Sequence, residues 1–344
     1  MRNIAFLVGT EYHLILTMGF IHKYYNEPED YVTIYRVSPV NSTRLNRLDR
    51  KELEQYNYKE LFVDFTCSGD TLKHFLDGII NSHPTHFVFF LEDMFWIEYL
   101  ISGLRKKKCK VILAQDGIKP YNDMTRPFKE RFLDKLRYIK YSCKHHLFLP
   151  FGTPENHYAT SKSIEEVWLE HPEHYVNHTK KRIIQFKLPE DEEFIIRLNG
   201  VFGFNSNNYP YLKEKTIVYF DSNEAYPEFL NRNVWLMSQL KKQHPDRKLL
   251  VKLHPAAVGK REEIYNTIGD VVYLDSKYPA ELFMANCNDA IFVSLFSTSM
   301  FYYNNKCKYY WVYPLYNDIF NIKGLNLPCD HISTIKTTEE FELI

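Results

Sequence analysis

Two short stretches of the sequence place side chains that could hold a phosphate group just after an apolar run. In KLLVKLHP, His254 and Pro255 follow such a run. An imidazole there can donate a hydrogen bond to a phosphate oxygen, and the proline ends the strand and favours an extended backbone at the histidine. Three other His-Pro pairs occur in polar, turn-like contexts. A histidine that only caps a loop or a helix is therefore the competing interpretation.

The second stretch is a cluster of hydroxyl side chains. In DAIFVSLFSTSMFYY, Ser297, Thr298 and Ser299 follow an apolar run and precede a segment that we predict to be a helix. Hydroxyls and backbone N–H groups would then meet at a helix N-terminus, which favours a bound anion. Ordinary N-capping by the same residues is the alternative.

Acidic residues at two further positions could interact with hydroxyl groups of a ligand. In KVILAQDGIKPYND, an apolar run leads to Gln115, Asp116 and Gly117, and a carboxylate there could accept a proton from an incoming hydroxyl group. The Asp-Gly pair is also a common turn. Glu281, in SKYPAELFMANC, could bond the ribose hydroxyls of a nucleotide, or it could simply favour the start of a helix.

Several well-known site signatures are missing from the sequence. There is no Walker-type phosphate loop, no Gly-x-Gly-x-x-Gly dinucleotide fingerprint, no Gly-x-Ser-x-Gly nucleophile elbow and no His-Glu-x-x-His zinc helix. The Asp-x-Asp pattern with which metal-dependent sugar transferases hold a nucleotide diphosphate is also missing. These absences argue against a kinase, a dehydrogenase and a simple hydrolase.

The elements that must position these residues form two series of alternating strands and helices. In the first series, strands are predicted at NIAFLVG, DYVTIYRV, ELFVDF, HFVFFLE and CKVILAQDG, with helices such as EYHLILTMGFIHKYY and GDTLKHFLDGIINS between them. The second series has strands at KTIVYFDS, KLLVKLHP, DVVYLD, DAIFVSLFS and CKYYWVYPL. Such alternation predicts mostly parallel, doubly wound sheets, which bind ligands beyond the carboxyl ends of their strands.

The length of 344 residues favours two domains. We predict a Rossmann-like domain over residues 1–185 and a second Rossmann-like domain over residues 186–344, with a cleft between them. The pattern blurs from about residue 121 to residue 185, where PFKERFLDKLRYIKYSCKHH looks helical and LFLPFGTPENHY looks like strand and turn. We interpret this segment as the inter-domain region.

The overall composition narrows the class of protein. Lysine and arginine together number 43, as do aspartate and glutamate, so no net field draws the molecule to nucleic acid and an anionic ligand must be held locally. Six cysteines without close pairs indicate reduced thiols rather than a zinc site. No apolar run approaches the roughly 20 residues of a membrane helix. We expect a cytoplasmic protein, and contact with the inner face of a membrane is compatible with this sequence.

Taken in order, these motifs resemble those of bacterial sialyltransferases of glycosyltransferase family 52 and their relatives, the bacterial polysialyltransferases. Those enzymes carry an acidic-acidic-Gly motif, a His-Pro motif and a Ser/Thr motif, and the matching residues here are 115–117, 254–255 and 297–299. The opening FLVGTEYHLILTM also resembles the N-terminal strand and turn of the family, with Thr10 and His13 in place on the substrate side.

The resemblance implies a GT-B fold, a CMP-activated sugar donor, and neither a metal nor a cofactor. In such a fold, residues 1–185 would form the domain on the acceptor side and residues 186–344 the domain that binds the nucleotide sugar. His254, with Pro255, would contact the CMP phosphate and stabilise the leaving group. The hydroxyl groups of residues 297–299 would bind the same phosphate, and Glu281 would lie near the cytidine ribose. Asp116 belongs to the motif that supplies the general base.

The sequence departs from the family pattern at one position. The first motif position, often regarded as the catalytic base in relatives, is Gln115, and a glutamine cannot take the proton. Asp116 could act instead, Asp93 or Glu92 in FFLEDMFW could fill in, or the reaction could differ from the usual one of the family.

We therefore expect an inverting, metal-independent glycosyltransferase that moves sialic acid from CMP-sialic acid to a hydroxyl of lipooligosaccharide or capsule. The expected partners are a CMP-sugar and a glycan or glycolipid acceptor, without nucleic acid. Alternatives are another donor, such as CMP-Kdo or a UDP-sugar used for glucosyl transfer, and a non-catalytic nucleotide-sugar-binding module, which Gln115 suggests. A structural protein with an aromatic-rich surface is a third. No pattern in the sequence specifies the acceptor linkage or the oligomeric state.

Overall fold

The computed structural model describes residues 2–40, 48–122, 127–147, 158–176, 180–319 and 329–344. The chain divides into two compact units, Met1–Pro189 and Glu190–Ile344. This division falls close to the predicted boundary between residues 185 and 186. The strand and turn predicted at LFLPFGTPENHY lie almost entirely outside the described residues.

The first unit is built on a seven-stranded sheet in which all neighbouring strands are parallel. Its strands are β1 Arg2–Val8, β2 Asp30–Pro39, β3 Lys59–Val63, β4 His86–Phe89, β5 Lys110–Ala114, β6 Glu166–Leu169 and β7 Arg182–Gln185. Its helices are α1 Glu11–Tyr24, α2 Arg50–Glu54, α3 Thr71–Asn81, α4 Ile97–Lys106 and α5 Phe128–Lys144. The strand order β3-β2-β1-β4-β5-β6-β7 is doubly wound, because the winding direction reverses between β1 and β4.

The second unit repeats this plan with six parallel strands. Its strands are β8 Lys215–Phe220, β9 Lys248–Lys252, β10 Val271–Tyr273, β11 Asp289–Ser294, β12 Lys308–Trp311 and β13 Ile332–Thr334. Its helices are α6 Glu192–Val201, α7 Pro227–Gln243, α8 Glu262–Tyr265, α9 Ala280–Asn286 and α10 Thr338–Phe341. The order β10-β9-β8-β11-β12-β13 reverses direction between β8 and β11.

The central strands show why the sequence folds in this way. Residues 4–8 of β1 and residues 290–294 of β11 are buried without interruption. Parallel strands covered by helices on both faces have such continuous apolar runs, because neither face meets water. The predicted strands of both series are therefore confirmed at these positions.

The interpretation of residues 121–185 as an inter-domain region is wrong, because β6 and β7 add two strands to the first sheet. Both strands are four residues long and carry charge. The buried carboxylate of Glu166 accepts hydrogen bonds from Trp168 Nε1 at 3.0 Å and Arg182 Nη1 at 3.2 Å, and it pairs with Lys110 Nζ at 2.9 Å. Because Glu166 is charged although it is buried, strand β6 lacks the continuous apolar run by which a buried strand is recognised in a sequence.

No helix in the described ranges is both long enough and apolar enough to cross a lipid bilayer.

Candidate active site

In each unit the predicted site residues lie beyond the carboxyl ends of strands close to the reversal of winding. Thr10 follows β1 and Asp116 follows β5 in the first sheet, while His254 follows β9 and Ser297 follows β11 in the second. Ligands of doubly wound sheets bind at this edge. The topology therefore places these residues at the carboxyl edge of the sheet in each unit.

The carboxylate of Asp116 is held by the side chain of His13. The Nε2 atom of His13 lies 3.0 Å from Asp116 Oδ1. The ring of His13 is fully buried and stacks on Phe90, with ring centroids 4.7 Å apart and planes 6° from parallel. Thr10 caps helix α1 by accepting the His13 N–H at 3.2 Å, and so it fixes the backbone that carries the ring.

The contacts of His13 define its tautomer. The backbone N–H of Gly9 donates to His13 Nδ1 at 3.2 Å, and a backbone amide can only donate. The Nδ1 atom must therefore present a lone pair, which leaves the proton on Nε2. His13 then donates its Nε2–H to Asp116, so its role is to orient an ionised carboxylate and not to remove a proton from it.

A cation completes the surroundings of Asp116. The Nζ atom of Lys119 lies 2.5 Å from Asp116 Oδ2 and 3.5 Å from Asp93 Oδ2. Burial raises the pKa of Asp116, but the hydrogen bond from His13 and the charge of Lys119 outweigh burial, and the net pKa is lowered. The side chain of Asp116 keeps 17% of its surface exposed. It is an ionised carboxylate that is partly open to solvent.

The two alternative carboxylates have different surroundings. Glu92 accepts the backbone N–H of Ala159 at 2.6 Å and that of Ser161 at 3.4 Å, so it holds a turn of the first unit in place. Asp93 is half exposed and lies 3.5 Å from Lys119 Nζ. Asp116 is the one of the three that is both oriented by His13 and partly open to solvent.

Gln115 is buried in a network in which all its hydrogen-bonding groups have partners. Its Nε2 donates to Glu170 Oε2 at 2.8 Å and to the hydroxyl of Tyr12 at 3.4 Å. Its Oε1 accepts the hydroxyl of Tyr121 and the backbone N–H of Glu170, the latter at 3.0 Å. With only 1% of its surface exposed, Gln115 supports the site from inside and does not face a substrate.

Glu170 is the residue at this site that the sequence interpretation missed. Nothing in its local sequence distinguishes it, because it lies in the poorly patterned segment just after β6. Burial raises the pKa of Glu170 to about 8, and the hydrogen bond from Gln115 and the charge of Lys187 offset this only in part. A carboxylate at position 115 would face Glu170 across a hydrogen-bond distance, and such a pair has to share one proton. Glutamine at position 115 therefore suits glutamate at position 170, because it is not a second carboxylate that would have to share a proton with Glu170.

The raised pKa of Glu170 predicts a pH-dependent loss of stability. The folded protein holds this proton more tightly than the unfolded chain, whose glutamate has a pKa near 4.5. The stabilisation is complete below that value and is lost as the pH rises through about 8. Glu170→Gln keeps a neutral, hydrogen-bonding side chain, so we expect it to melt roughly 10 °C above the wild type at pH values well above 8.

Thermal unfolding followed by circular dichroism across this pH range measures the effect. Glu173→Gln is the matched control, because Glu173 is close in sequence but half exposed. Its melting curve should follow that of the wild type at every pH. Parallel pH profiles for the wild type and Glu170→Gln would contradict the assignment of a proton to Glu170.

In the second unit, His254 closes a short turn. Its Nδ1 accepts the backbone N–H of Ala256 at 3.2 Å and so caps the 3₁₀ turn Pro255–Ala257. The backbone of His254 is extended, as expected before a proline. The ring is half-buried, whereas Pro255 is exposed. Because Nδ1 makes the cap, a hydrogen bond from this ring to a ligand would have to come from Nε2.

The hydroxyl cluster contains one residue that caps a turn, Ser297, and two whose hydroxyls do not take part in the cap, Thr298 and Ser299. Ser297 Oγ accepts the N–H of Ser299 at 3.3 Å and caps residues 298–301, which form one 3₁₀ turn and not the helix that we predicted. All three hydroxyl residues are half-buried. The hydroxyls of Thr298 and Ser299 make no hydrogen bond to any residue that the structure describes.

A buried ion pair stabilises the strand end between these two motifs. Both Asp221 carboxylate oxygens, just after β8, contact Arg261 Nη1, at 2.6 and 2.7 Å, and Tyr265 donates to the same carboxylate at 3.0 Å. Burial raises the pKa of Asp221 to about 6, and Arg261 limits the rise. Removing one partner of such a pair is strongly destabilising. The loops after β8 and β9 are therefore fixed together.

Glu281 lies in the first turn of α9, as predicted, but its side chain is buried, with 3% of the residue exposed. The negative charges of Glu190 and Glu281 help to raise the pKa of Tyr302, after burial as the main cause. Among the described residues, no group of three or more His, Cys, Asp or Glu side chains is placed to hold a metal ion. Metal independence stays a prediction.

The sequence matches the family model described as Alpha-2,8-polysialyltransferase (POLYST) over residues 5–308. This range includes the Gln-Asp-Gly, His-Pro and Ser-Thr-Ser motifs. A comparison with curated protein sequences gives no match.

Solved structures share the architecture at low sequence identity. A sialyltransferase from Photobacterium damsela is 12% identical with a TM-score of 0.50, and the alignment covers 90% of this chain and 74% of that one. A UDP-GlcNAc 2-epimerase from Neisseria meningitidis, bound to UDP-GlcNAc, is 10% identical with a TM-score of 0.48, covering 85% and 77%. With two parallel-sheet units, the chain has the predicted GT-B fold.

Proposed function

The chain belongs to the alpha-2,8-polysialyltransferase family and is a glycosyltransferase, and from this premise we propose that it transfers sialic acid from CMP-sialic acid to a glycan hydroxyl. The observation that carries the proposal is the family match over residues 5–308, because the description of that family names a polysialyltransferase and so supports sialic acid as the sugar transferred. The resemblance seen in the sequence motifs is confirmed at the level of the family. The donor, the stereochemistry and the acceptor are part of the proposal.

We assign the general base to Asp116. Its carboxylate is ionised, is oriented by a neutral imidazole and is partly exposed. The acceptor hydroxyl becomes acidic as its oxygen bonds to the anomeric carbon, and at that stage a fixed carboxylate can take its proton. Attack from the face opposite the leaving group inverts the anomeric centre. Gln115 and His13 act here as positioning residues.

We assign donor binding to the second unit. CMP leaves with one phosphate, whose charge can be met by an imidazole N–H, hydroxyls and backbone N–H groups without a metal. β9 and β11 both neighbour β8, so His254 and Ser299 follow strands about 10 Å apart. A bound phosphate could bridge this separation, with the half-buried hydroxyls of Thr298 and Ser299 on its other side. Glu281 is assigned to the cytidine ribose, although its burial requires a side-chain movement to reach it.

The acceptor in this proposal is a cell-surface glycan or glycolipid, such as lipooligosaccharide or capsule, extended in the cytoplasm. A binding module without catalysis is the second candidate, favoured by the non-acidic and buried Gln115. The two candidates differ in one respect that can be measured, because only the enzyme releases CMP in the presence of an acceptor.

CMP release from CMP-sialic acid, with oligosialic acid and galactoside acceptors, tests the proposal. We expect acceptor-dependent release and a sialylated product of higher mass. Release from CMP-Kdo but not from CMP-sialic acid, or transfer from a UDP-sugar, would change the donor and leave the fold assignment intact. Binding of CMP without turnover on any acceptor would establish the binding module instead.

A further inference from the structure

Helix α5, Phe128–Lys144, leaves a face of large apolar side chains open to solvent. The exposed fractions are 78% for Phe128, 52% for Phe132, 50% for Leu133, 48% for Leu136 and 44% for Ile139. Of the described residues in α5, only Ser142 is buried. Such a concentration of exposed apolar side chains on one helix indicates an interaction surface.

The exposed side chains form a stripe along the helix. Phe128, Phe132, Leu136 and Ile139 are spaced four, four and three residues apart, which places them on one side of an α-helix. Tyr138 and Tyr141 point the other way and pack against the hydrophobic core of the first unit. The stripe is therefore not the face that attaches the helix to its own domain.

Basic residues flank the stripe. The helix contains six lysine and arginine residues against two acidic ones, whereas the whole protein has no net charge. Lys129, Arg131 and Lys140 are exposed. One of the two acidic residues, Asp134, pairs with Arg137 at 3.0 Å. The excess positive charge is thus a local property of this helix.

We infer that α5 binds the surface of an anionic lipid bilayer. An apolar stripe with cations on both sides is the pattern of a helix that lies in the membrane interface, with its apolar face inserted and its cations at the headgroups. The helix is about 26 Å long, and the stripe from Phe128 to Ile139 covers about 17 Å of it. The positive charge selects an anionic surface as the partner.

The position of α5 connects this surface to the candidate base. The hydroxyl of Tyr138 on the inner face of α5 donates to the backbone carbonyl of Asp93. Asp93 in turn lies 3.5 Å from Lys119, which holds Asp116. A membrane-bound α5 would therefore bring Asp116 near the headgroups, where a glycolipid acceptor is found. This last step rests on the proposed function, but binding to lipid does not.

Vesicle co-sedimentation tests the inference with the full chain. We expect binding to vesicles of phosphatidylcholine mixed with phosphatidylglycerol, little binding to phosphatidylcholine alone, and weakening by salt, which screens charge. The variant Phe128→Ser with Phe132→Ser should bind at least about 100-fold more weakly, because each ring loses its transfer from water. Ile196→Ser with Leu343→Ser, at two exposed positions outside α5, should bind like the wild type.

A second pair of variants tests the charges. Neutralising Lys129, Arg131 and Lys140 with glutamine should weaken binding about 100-fold, since each cation near an anionic surface contributes a factor of about five. The matched control neutralises Lys106 and Lys107, which end helix α4 without an apolar stripe. It should keep full binding.

Several outcomes would overturn the inference. One is equal binding of the wild type and the Phe128→Ser, Phe132→Ser variant. Another is a wild-type dimer in light scattering that the same variant converts to a monomer without any lipid binding, which would make α5 a contact between copies of the chain. CMP release on a soluble acceptor should be the same in all α5 variants. Vesicle binding therefore tests the inference about lipid, and CMP release tests the proposed reaction, so failure of one can be told from failure of the other.

Discussion

Asp116→Asn is expected to lower turnover about 1,000-fold, because a positioned general base contributes between 100-fold and 10,000-fold to a proton transfer. Asparagine can still accept the Nε2–H of His13, so the loop geometry is kept while the proton acceptor is lost. The affinity for CMP should stay within about twofold of the wild type, since donor binding is assigned to the second unit. Steady-state CMP release and calorimetric titration with CMP measure the two quantities.

Asp93→Asn is the control for Asp116→Asn. Asp93 contacts the same lysine, at 3.5 Å, but its side chain is half exposed and has no histidine partner among the described contacts. Its replacement should change turnover less than about threefold. If Asp93→Asn were inactive and Asp116→Asn active, the base would be Asp93, which was one of the alternatives that the sequence left open.

His254→Asn separates the two interpretations of the His-Pro motif. Asparagine is among the best N-capping residues, so it can accept the N–H of Ala256 and preserve the turn. It cannot supply the imidazole Nε2. We expect turnover to fall between about 100-fold and 1,000-fold, as when a donor to a developing negative charge is removed. The melting temperature should not change.

His244→Asn is the matched control, because His244 is also followed by proline and lies in the same unit, at the end of α7. It is expected to be as active as the wild type. Rapid-quench measurement of the first turnover separates chemistry from product release for both variants. Full activity of His254→Asn would show that His254 only caps the turn. The donor phosphate would then need another partner.

The sequence determined the series of strands through local composition. The apolar runs of β1, β5, β9 and β11 were recognisable because a parallel strand buried on both faces has no polar period. The motifs at residues 115–117, 254–255 and 297–299 follow such runs directly, so their place at the carboxyl end of a sheet could be predicted from adjacent residues alone. Strands β6 and β7 were not predicted, because the buried charge of Glu166 interrupts the apolar pattern of β6, and β7 is a four-residue strand that begins and ends with an exposed polar residue.

The tertiary structure alone determines which side chains that are distant in the sequence come into contact. His13 contacts Asp116 across 103 residues, and Gln115 contacts Glu170 across 55. These contacts depend on β5 lying between β4 and β6 and on α1 following the central strand, and no local pattern encodes that order. The protonation state of a carboxyl group follows from such contacts, since burial and neighbouring groups shift its pKa away from the value that is usual for its residue type. Residue types were therefore readable in the sequence, but the ionised Asp116 and the protonated Glu170 were not.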